Sequence, residues 1–132
     1  MKTREILRNE WSEFFDSFSR RHQGWLVTLE ILESEIGAQV EERDLAFEGI
    51  VAEWDEVQGD EIAIIIGAKS DVHITHRISH PTEVSLELTE EGADAALAIK
   101  SADGATALLR FRSPMLPEMV DSLAGEPARP PL

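Results

Sequence analysis

The first strong pattern in the chain is an apolar stripe with the period of an α-helix. Residues 9–22 are predicted to form this helix, with Asn9 as a suitable N-cap and Gly24 following the C-terminus. A stripe of this kind usually packs on a sheet, and a stripe that binds a partner or a ligand is the alternative. Its aromatic members lie at i, i+3, i+4 and i+7: Trp11, Phe14, Phe15 and Phe18.

After the helix, the pattern changes to the two-residue period of β-strands. Alternating runs predict half-buried strands, and the continuous apolar run at 62–67 predicts a strand that is covered on both faces. Regular turn signals separate the runs without intervening helices, which disfavours a parallel sheet with helical crossovers. The predicted strands are residues 25–32, 36–44, 47–54, 62–67, 72–79 and 83–89, followed by the two strands of a hairpin.

The hairpin is predicted by Asp103-Gly104, which lies between two apolar runs. Asp and Gly tolerate the positive φ angles that a two-residue hairpin loop requires. With that loop, Ile99 pairs with Leu108, and directly opposite residues share a face of the sheet. Both faces then have apolar residues near the middle, so we expect the hairpin to be covered on both sides over part of its length.

These elements predict an α+β protein that is mainly β. An N-terminal amphipathic helix packs on an antiparallel sheet of about eight short strands, and the sheet curls as a small barrel or sandwich. With 132 residues, the chain is expected to form a single globular domain over residues 1–124. Residues 117–123 are expected to form a short helix, and the Pro-rich segment 125–132 is expected to be a disordered tail.

Composition narrows the classes of function. The formal net charge of −14 disfavours nucleic acid and anionic membranes as partners. The absence of cysteine excludes disulfides, thiolate metal sites and cysteine nucleophiles, and it is typical of a reducing cytoplasm. The N-terminus has no apolar segment typical of a secretion signal, and the longest apolar run, residues 62–66, is too short to span a bilayer. We therefore expect a soluble, acidic, cytoplasmic protein.

Three histidines form the first candidate site. His73, His76 and His80 lie in one short segment beside Asp71, and imidazole and carboxylate groups are common ligands of zinc and iron. On a strand, His73 and His76 point to opposite faces, whereas His76 and His80 share a face but lie roughly 13 Å apart at about 3.3 Å per residue. A metal site therefore requires a bulge or a turn, and a His76 in or near the core is the simpler interpretation.

Arg110 and Arg112 form the second candidate site, because residues two apart on a strand share a face. In an acidic protein, such a pair could bind the carboxylate or phosphate of a ligand. The simpler interpretation is that the arginines pair with glutamates such as Glu83 or Glu87 on a neighbouring strand.

The third candidate is an apolar, proline-bounded segment near the C-terminus with the sequence SPMLPEM. Its side chains either close one end of the barrel or form an adaptable surface for a partner, for which methionine is well suited. The residues concerned are Met115, Leu116 and Met119.

Several segments resemble a family of short, uncharacterised prokaryotic proteins. Ser101-Ala102-Asp103-Gly104 and the segment LLRFRSPMLPE at 108–118 are similar to the end of that family. Residues 89–94, with the sequence TEEGAD, and Trp11 with Phe14-Phe15 resemble earlier parts. The resemblance covers most of the chain and ends near Asp121. It implies no activity and no site residue, because the family is a domain of unknown function.

Sequence motifs of known chemistry are absent: there is no nucleophile elbow, dinucleotide fingerprint or His-Glu-x-x-His motif. No cofactor is therefore expected. The leading hypothesis is a non-enzymatic module that acts through contact with an unknown protein partner or through self-association. The alternative is a β-barrel protein, enzymatic or not, that binds a small ligand or a metal. It would use His73, His76 and His80, or Arg110 and Arg112.

Overall fold

The fold is defined by a computed structural model that describes residues 2–33, 37–67 and 73–115. In these ranges the helix α1 spans Trp11–His22 and follows a 3₁₀ turn at Arg8–Glu10. The strands are β1 (Lys2–Ile6), β2 (Leu26–Glu33), β3 (Gly37–Glu53), β4 (Glu61–Ile66), β5 (Ile74–Ser79), β6 (Pro81–Leu88), β7 (Asp94–Ser101) and β8 (Thr106–Met115).

These strands form one antiparallel sheet with the order β1-β6-β7-β8-β2-β3-β4-β5. Through the described residues the sheet is not closed, and β1 and β5 are its two edges. The helix α1 packs against β3. The predicted class, a mainly β protein with one helix packed on an antiparallel sheet, is confirmed.

The long strand β3 forms one corner of the fold. Its first part pairs with β2 and its last part pairs with β4, so it connects two parts of the sheet. The sequence predicts two strands here, residues 36–44 and 47–54, and this is wrong because a bulge rather than a turn separates them. At the bulge, Asp44 adopts a φ of 54°, and the pairing with β2 shifts between Val27 and Leu29.

His80 forms a second corner, between β5 and β6. It has a φ of 53° and is the one residue between Ser79 and Pro81. Its N–H donates to the carbonyl oxygen of Asp60 at 2.9 Å, and its own carbonyl accepts from the N–H of Ala102 at 2.9 Å. A single residue therefore turns the chain from pairing with β4 to pairing with β7.

The edge strand β1 is not predicted by the sequence pattern. It pairs with β6 over five residues, Lys2 to Ile6, of which Ile6 is buried and the others are exposed. Exposed positions on both faces give no alternation of apolar residues. The charged side chains of β1 are typical of a sheet edge that is protected against pairing with other chains.

The aromatic stripe of α1 packs into the core, as predicted. The ring of Phe18 lies 5.8 Å from that of Phe47 on β3, centroid to centroid, and the two rings meet edge to face. The helix begins at Trp11 with Glu10 as its N-cap, so the predicted N-cap Asn9 is wrong: Asn9 lies within the 3₁₀ turn. Three of the four aromatic residues are buried: Trp11, Phe15 and Phe18.

The β7–β8 hairpin has a three-residue loop, so the predicted two-residue loop is wrong. The N–H of Ser101 donates to the carbonyl oxygen of Ala105 at 3.0 Å, and Gly104 adopts a φ of 96°. A three-residue loop that ends in a residue with positive φ is the next most common hairpin connection. The carboxylate of Asp103 favours this loop, because it accepts from the Ser101 hydroxyl and from the Ala105 N–H.

The longer loop shifts the pairing of β7 and β8 by one residue. Ile99 lies opposite Ala107 rather than the predicted Leu108, and Leu97 lies opposite Leu109. A shift of one residue exchanges the faces of one strand relative to the other. As a result, Leu97, Ile99 and Leu109 share the buried face with the smaller Ala107.

The predicted helix at 117–123 and the predicted tail at 125–132 lie outside the described residues. Within the ranges that are described, no helix is long and apolar enough to cross a lipid bilayer.

Candidate functional site

The three candidate histidines have different surroundings. His73 is exposed, with Nε2 3.7 Å from Oε1 of Glu48. His76 is half-buried on β5 and lines a cleft beside that strand. His80 is exposed at its corner, where its ring lies against Gly59.

The structure does not assemble these histidines into a metal site. Among the described side chains, no group of three or more histidine, aspartate or glutamate residues is placed so that it could hold a metal ion. Asp71, the carboxylate that the sequence places beside the histidines, lies outside the described residues. A metal site at His73, His76 and His80 therefore gains no support from the geometry.

Arg110 and Arg112 are both exposed on β8. Nη2 of Arg110 lies 3.6 Å from Oε1 of Glu30 on the adjacent strand β2. A glutamate partner agrees with the simpler interpretation, but the residue is Glu30 and not Glu83 or Glu87. An ion pair of this exposure is weak and does not prevent either arginine from binding an anion.

The predicted C-terminal interaction segment is only partly described. Met115 is the last residue of β8 and lies opposite Asp94 of β7. Leu116 and Met119 lie outside the described residues, so a contact surface at this segment stays a prediction.

A tryptophan that follows β3 is more informative than these candidates. The side chain of Trp54 is 49% exposed, yet its ring stacks on the buried Trp11 with a centroid distance of 5.9 Å and an angle of 15°. Its Nε1–H donates to the hydroxyl of Ser12 at 3.3 Å. The guanidinium of Arg8 lies 4.9 Å from the ring centroid, where a cation–π contact is favourable. Trp54 is therefore held in place while about half of it faces solvent.

Trp54 lines a shallow depression together with Arg8 and Ser12, and we call these three residues the Trp54 surface. Two aliphatic side chains near them in the sequence are also exposed: Leu7, which precedes Arg8, is 56% exposed, and Val57, in the turn that follows Trp54, is 92% exposed. The sequence signal of the Trp54 surface is weak, because single exposed apolar residues are common and carry no periodicity.

An acidic depression borders the Trp54 surface. It has a volume of about 430 Å³ and is lined by Trp54, Gly59, Ser79 and other residues that include four carboxylates: Glu53, Asp55, Asp60 and Glu61. Three of these carboxylates have an arginine partner. Nη1 of Arg77 lies 2.8 Å from Oε1 of Glu53 and 3.2 Å from Oε1 of Glu61, and Arg8 pairs with Asp60.

Two groups at this depression have pKa values that differ from their ordinary values: Arg77 and Asp55. The hydrogen bond and charge of Glu61, together with Glu53, raise the pKa of Arg77 above its ordinary value. The backbone N–H groups of Gln58 and Val57 donate to Asp55 and hold the pKa of that carboxyl below its ordinary value. The backbone contacts therefore favour the ionised form of Asp55, and the four carboxylates of the depression outnumber the two guanidinium groups of Arg8 and Arg77 that pair with them.

A buried histidine is the functional candidate that the sequence interpretation missed. His22 is fully buried, its Nδ1 lies 2.8 Å from the carbonyl oxygen of Phe18, and its Nε2 lies 3.0 Å from Oδ2 of Asp94. From the sequence, His22 is expected only to be the last residue of the predicted helix 9–22. Its position four residues after Phe18 extends the buried stripe of α1, and that spacing is the available signal.

Comparisons with known proteins support the fold and give no activity. Residues 2–119 match a family described as a family of unknown function, DUF5335. An uncharacterised protein of Aquifex aeolicus (strain VF5) is 27% identical over 117 residues, which cover 89% of this chain and 97% of that protein. The resemblance to an uncharacterised family is thus confirmed, and its C-terminal motif stays a prediction.

A solved structure gives a similar fold. The crystal structure of the Bacillus subtilis YojF protein matches 87% of this chain and 98% of its own, with a TM-score of 0.50 and 12% sequence identity. At this identity the match concerns the fold alone, because one fold can support many unrelated functions.

Proposed function

The chain belongs to the DUF5335 family of unknown function, and we propose that it is a non-enzymatic module that binds a partner protein through the Trp54 surface. The observation that carries this proposal is the position of Trp54, half exposed and fixed by contacts to Trp11, Ser12 and Arg8. Tryptophan is enriched at protein interfaces, because its large apolar ring carries one polar N–H group.

The residue types of the Trp54 surface favour a protein contact. Tryptophan and arginine are enriched among the few interface residues that contribute most of the binding free energy. The stacking on Trp11 and the hydrogen bond to Ser12 reduce the freedom that Trp54 has in the unbound protein. Less conformational entropy is therefore lost when a partner covers the ring.

The charge of the protein indicates the kind of partner. Four carboxylates lie beside Trp54, and the whole chain has a formal net charge of −14. A partner with an apolar pocket for Trp54 and basic residues around that pocket would be electrostatically complementary. A second copy of this acidic chain would be repelled at long range, so self-association is the less favoured form of the proposal.

The alternative of a ligand-binding or metal-binding protein has less support. It depends on His73, His76 and His80, which are not grouped in the described structure, or on Arg110 and Arg112. Arg110 has a glutamate partner, and neither arginine lies in a depression described above. Its test is native mass spectrometry, in which bound mass removed by a chelator or by denaturation would favour it.

The proposal is tested by affinity capture from the native host followed by binding measurements with the purified partner. Trp54→Ala is expected to weaken the measured affinity by at least about tenfold, as is usual for a central aromatic interface residue. The matched control is Val40→Ala, because Val40 is 44% exposed on the β2-paired part of β3. This control is expected to change the affinity by less than about twofold.

Folding of each variant is verified by its amide NMR spectrum before binding is compared. Equal loss of affinity in Trp54→Ala and Val40→Ala would contradict the proposal, because a general loss of structure would explain both. An unchanged affinity in a folded Trp54→Ala variant would reject the Trp54 surface. Sedimentation velocity of the wild-type protein separates a foreign partner from self-association, which would appear as a concentration-dependent dimer.

A further inference from the structure

Among the described strands, β5 lies at one edge of the sheet. Within the part of the chain that the structure describes, β5 pairs with β4 alone and ends the strand order. A cleft of about 260 Å³ lies beside it, and we call this the β5 cleft. An open sheet edge presents unpaired backbone N–H and C=O groups, so it can pair with a further strand.

The hydrogen bond at the end of β5 shows which backbone N–H and C=O groups of this strand point away from β4. The N–H of His80 donates to Asp60 in the continuation of the β4–β5 pairing. In an antiparallel pair, successive residues direct their N–H and C=O alternately towards the partner and away from it. The groups that point away from β4 therefore belong to Thr75, Arg77 and Ser79.

The residues that line the β5 cleft show that it follows this open edge. On β5 the cleft touches four consecutive residues, 76–79, and a cavity that touches consecutive residues lies along the edge of a strand. On the opposite wall it touches alternate residues, as expected where a cavity lies on a face of the sheet. These are Ile31 and Glu33 on β2, Ser101 and Asp103 at the hairpin, Ala105 just before β8, and Ala107 on β8.

We propose that the β5 cleft binds an extended, basic segment of another protein, which pairs with the open edge of β5 as an additional strand. In this recognition mode the main-chain hydrogen bonds supply affinity, and alternate side chains supply specificity. The cleft does not include Trp54, although Ser79 lines both the cleft and the acidic depression beside Trp54, and it is supported by its own geometry. It can therefore hold or fail independently of the proposed function.

The side chains of the cleft indicate the sequence of the segment. Ile31 and Ala107 provide an apolar floor for every second side chain. Glu33 and Asp103 place two carboxylates at the cleft, and the Ser101 hydroxyl and the Ala105 N–H hold the pKa of Asp103 below its ordinary value. A segment that alternates small apolar residues with Lys or Arg therefore matches both the apolar floor and the negative charge of the cleft.

The positive charge of Arg77 does not cancel these carboxylates. Arg77 also borders the cleft, but its guanidinium is held by Glu53 and Glu61 at 2.8 and 3.2 Å. The register places Arg77 opposite Ala63, and His76 and Ile78 point to the other face of β5. Arg77 contributes its backbone to the edge, and a basic segment meets mainly negative charge in the cleft.

The test uses an acetylated and amidated peptide, Lys-Val-Lys-Val-Lys-Val, added to the full chain and followed by amide NMR and hydrogen exchange. In the free protein, the amides of Thr75, Arg77 and Ser79 should exchange rapidly, and those of His76 and Ile78, bonded to β4, should exchange slowly. The peptide is expected to slow exchange at the first three amides by at least about tenfold, which corresponds to one hydrogen bond gained at each.

Two pairs of comparisons make the test specific. Ser79→Pro removes one open N–H while keeping the pairing with β4, because proline is tolerated on an edge strand when its missing N–H faces outwards. It is expected to weaken peptide binding at least about tenfold, whereas Ser79→Ala should change it less than about twofold. Glu33→Lys should weaken binding about fivefold, and the peptide Glu-Val-Glu-Val-Glu-Val should not bind.

Each remaining outcome overturns the proposal. No change at β5 with the basic peptide, or equal binding of the acidic peptide, would reject it. Protection of Thr75, Arg77 and Ser79 in the free protein that rises with concentration would identify a second copy as the occupant. The same protection without concentration dependence would mean that the chain itself covers the edge. Peptide binding that survives in Ser79→Pro but is lost in Trp54→Ala would place the segment at the Trp54 surface.

Discussion

Nε2 of His22 lies 3.0 Å from Oδ2 of Asp94, and the two side chains are 0% and 5% exposed. The other ring nitrogen, Nδ1, lies 2.8 Å from the carbonyl oxygen of Phe18. A carbonyl can only accept, so Nδ1 donates. Nε2 faces the Asp94 carboxylate without making an aligned hydrogen bond to it. The pair joins the last residue of α1 to the first residue of β7.

Removing one member of this pair should destabilise the protein strongly. Asp94→Ala leaves His22 buried without its partner, and we expect the free energy of unfolding to fall by about 3 kcal/mol. His22→Phe should cost less than Asp94→Ala, because the carboxylate of Asp94 keeps Arg21 as a partner, whose Nη1 lies 3.4 Å away. Urea unfolding at neutral pH measures both changes.

The double variant separates a true pair from two independent residues. If the two side chains depend on each other, His22→Phe with Asp94→Ala should cost less than the sum of the single variants, by at least about 1 kcal/mol. Arg21→Ala serves as the control and should cost no more than about 1 kcal/mol, because its contact with Asp94 is partly exposed. Strict additivity of the two single variants would contradict the pairing.

Two glycines with similar backbones should differ in their tolerance of a side chain. Gly59 and Gly104 have φ values of 94° and 96°, so alanine is strained at both. A Cβ at Gly59 would lie 2.7 Å from Nε2 of His80, whereas a Cβ at Gly104 would have no neighbour within 4 Å. We expect Gly104→Ala to cost about 1–2 kcal/mol and Gly59→Ala about 1 kcal/mol more in urea unfolding.

The extra cost at Gly59 should depend on the ring of His80. In a His80→Ala background, Gly59→Ala should cost no more than Gly104→Ala, because the contact with the ring is gone. If the extra cost persists in that background, the crowding does not arise from His80. The experiment thereby also tests whether the His80 ring, at the corner between β5 and β6, lies against Gly59.

The main features of the fold could be predicted because they depend on local patterns. The period of the stripe at Trp11, Phe15 and Phe18 defines the helix and its buried side without any tertiary information. The hairpin register could not be predicted, because a two-residue and a three-residue loop fit the same Asp103-Gly104 signal. The choice depends on hydrogen bonds that Asp103 makes in the folded loop.

The candidate sites were harder to predict, because they depend on contacts distant in sequence. His22 and Asp94 are 72 positions apart, and nothing near either residue indicates the other. Trp54 looks like the end of a strand, and its contact with Trp11 follows only from the packing of α1. The closeness of His73, His76 and His80 in the sequence is not enough to define a site, because residues of one extended segment point alternately to opposite faces.

The carboxylate of Asp103 should make stability depend on acid. Its folded pKa is depressed, first by the hydrogen bond from Ser101 and then by the N–H of Ala105. A depressed folded pKa contributes stability above the ordinary aspartate value of 3.8, and this contribution is lost as the pH falls through the folded pKa. Asp103→Asn should therefore be less stable than wild type at pH 7, and the difference should shrink below about pH 4.

Urea unfolding of both proteins at neutral and acidic pH measures this difference. Glu91→Gln, a change of the same kind at an exposed position on another turn, controls for the general effect of removing a negative charge. The difference for Asp103→Asn should be larger at neutral pH than that for Glu91→Gln. A difference that stays constant with pH, or grows in acid, would contradict the role of the Asp103 carboxylate in the loop.

The hydroxyl of Ser19 should stabilise the attachment of α1 to β3. It accepts from the N–H of Ile50 at 2.9 Å and donates to the carbonyl oxygen of Ile50 at 3.2 Å. This contact lies next to an irregularity in the pairing of β3 with β4, between Phe47 and Gly49. A side chain here satisfies backbone groups where the sheet is irregular, and an unsatisfied buried group costs about 1–3 kcal/mol.

We therefore expect Ser19→Ala to lower the free energy of unfolding by about 2 kcal/mol, measured by urea unfolding. Ser17→Ala is the matched control on the same helix, because the Ser17 hydroxyl only accepts from Nε of Arg21 at 3.4 Å. That variant should cost no more than about 0.5 kcal/mol. The amide of Ile50 should also exchange faster in Ser19→Ala than in Ser17→Ala, because its acceptor is lost. Equal stability and equal exchange in the two variants would show that Ser19 does not secure the helix to β3.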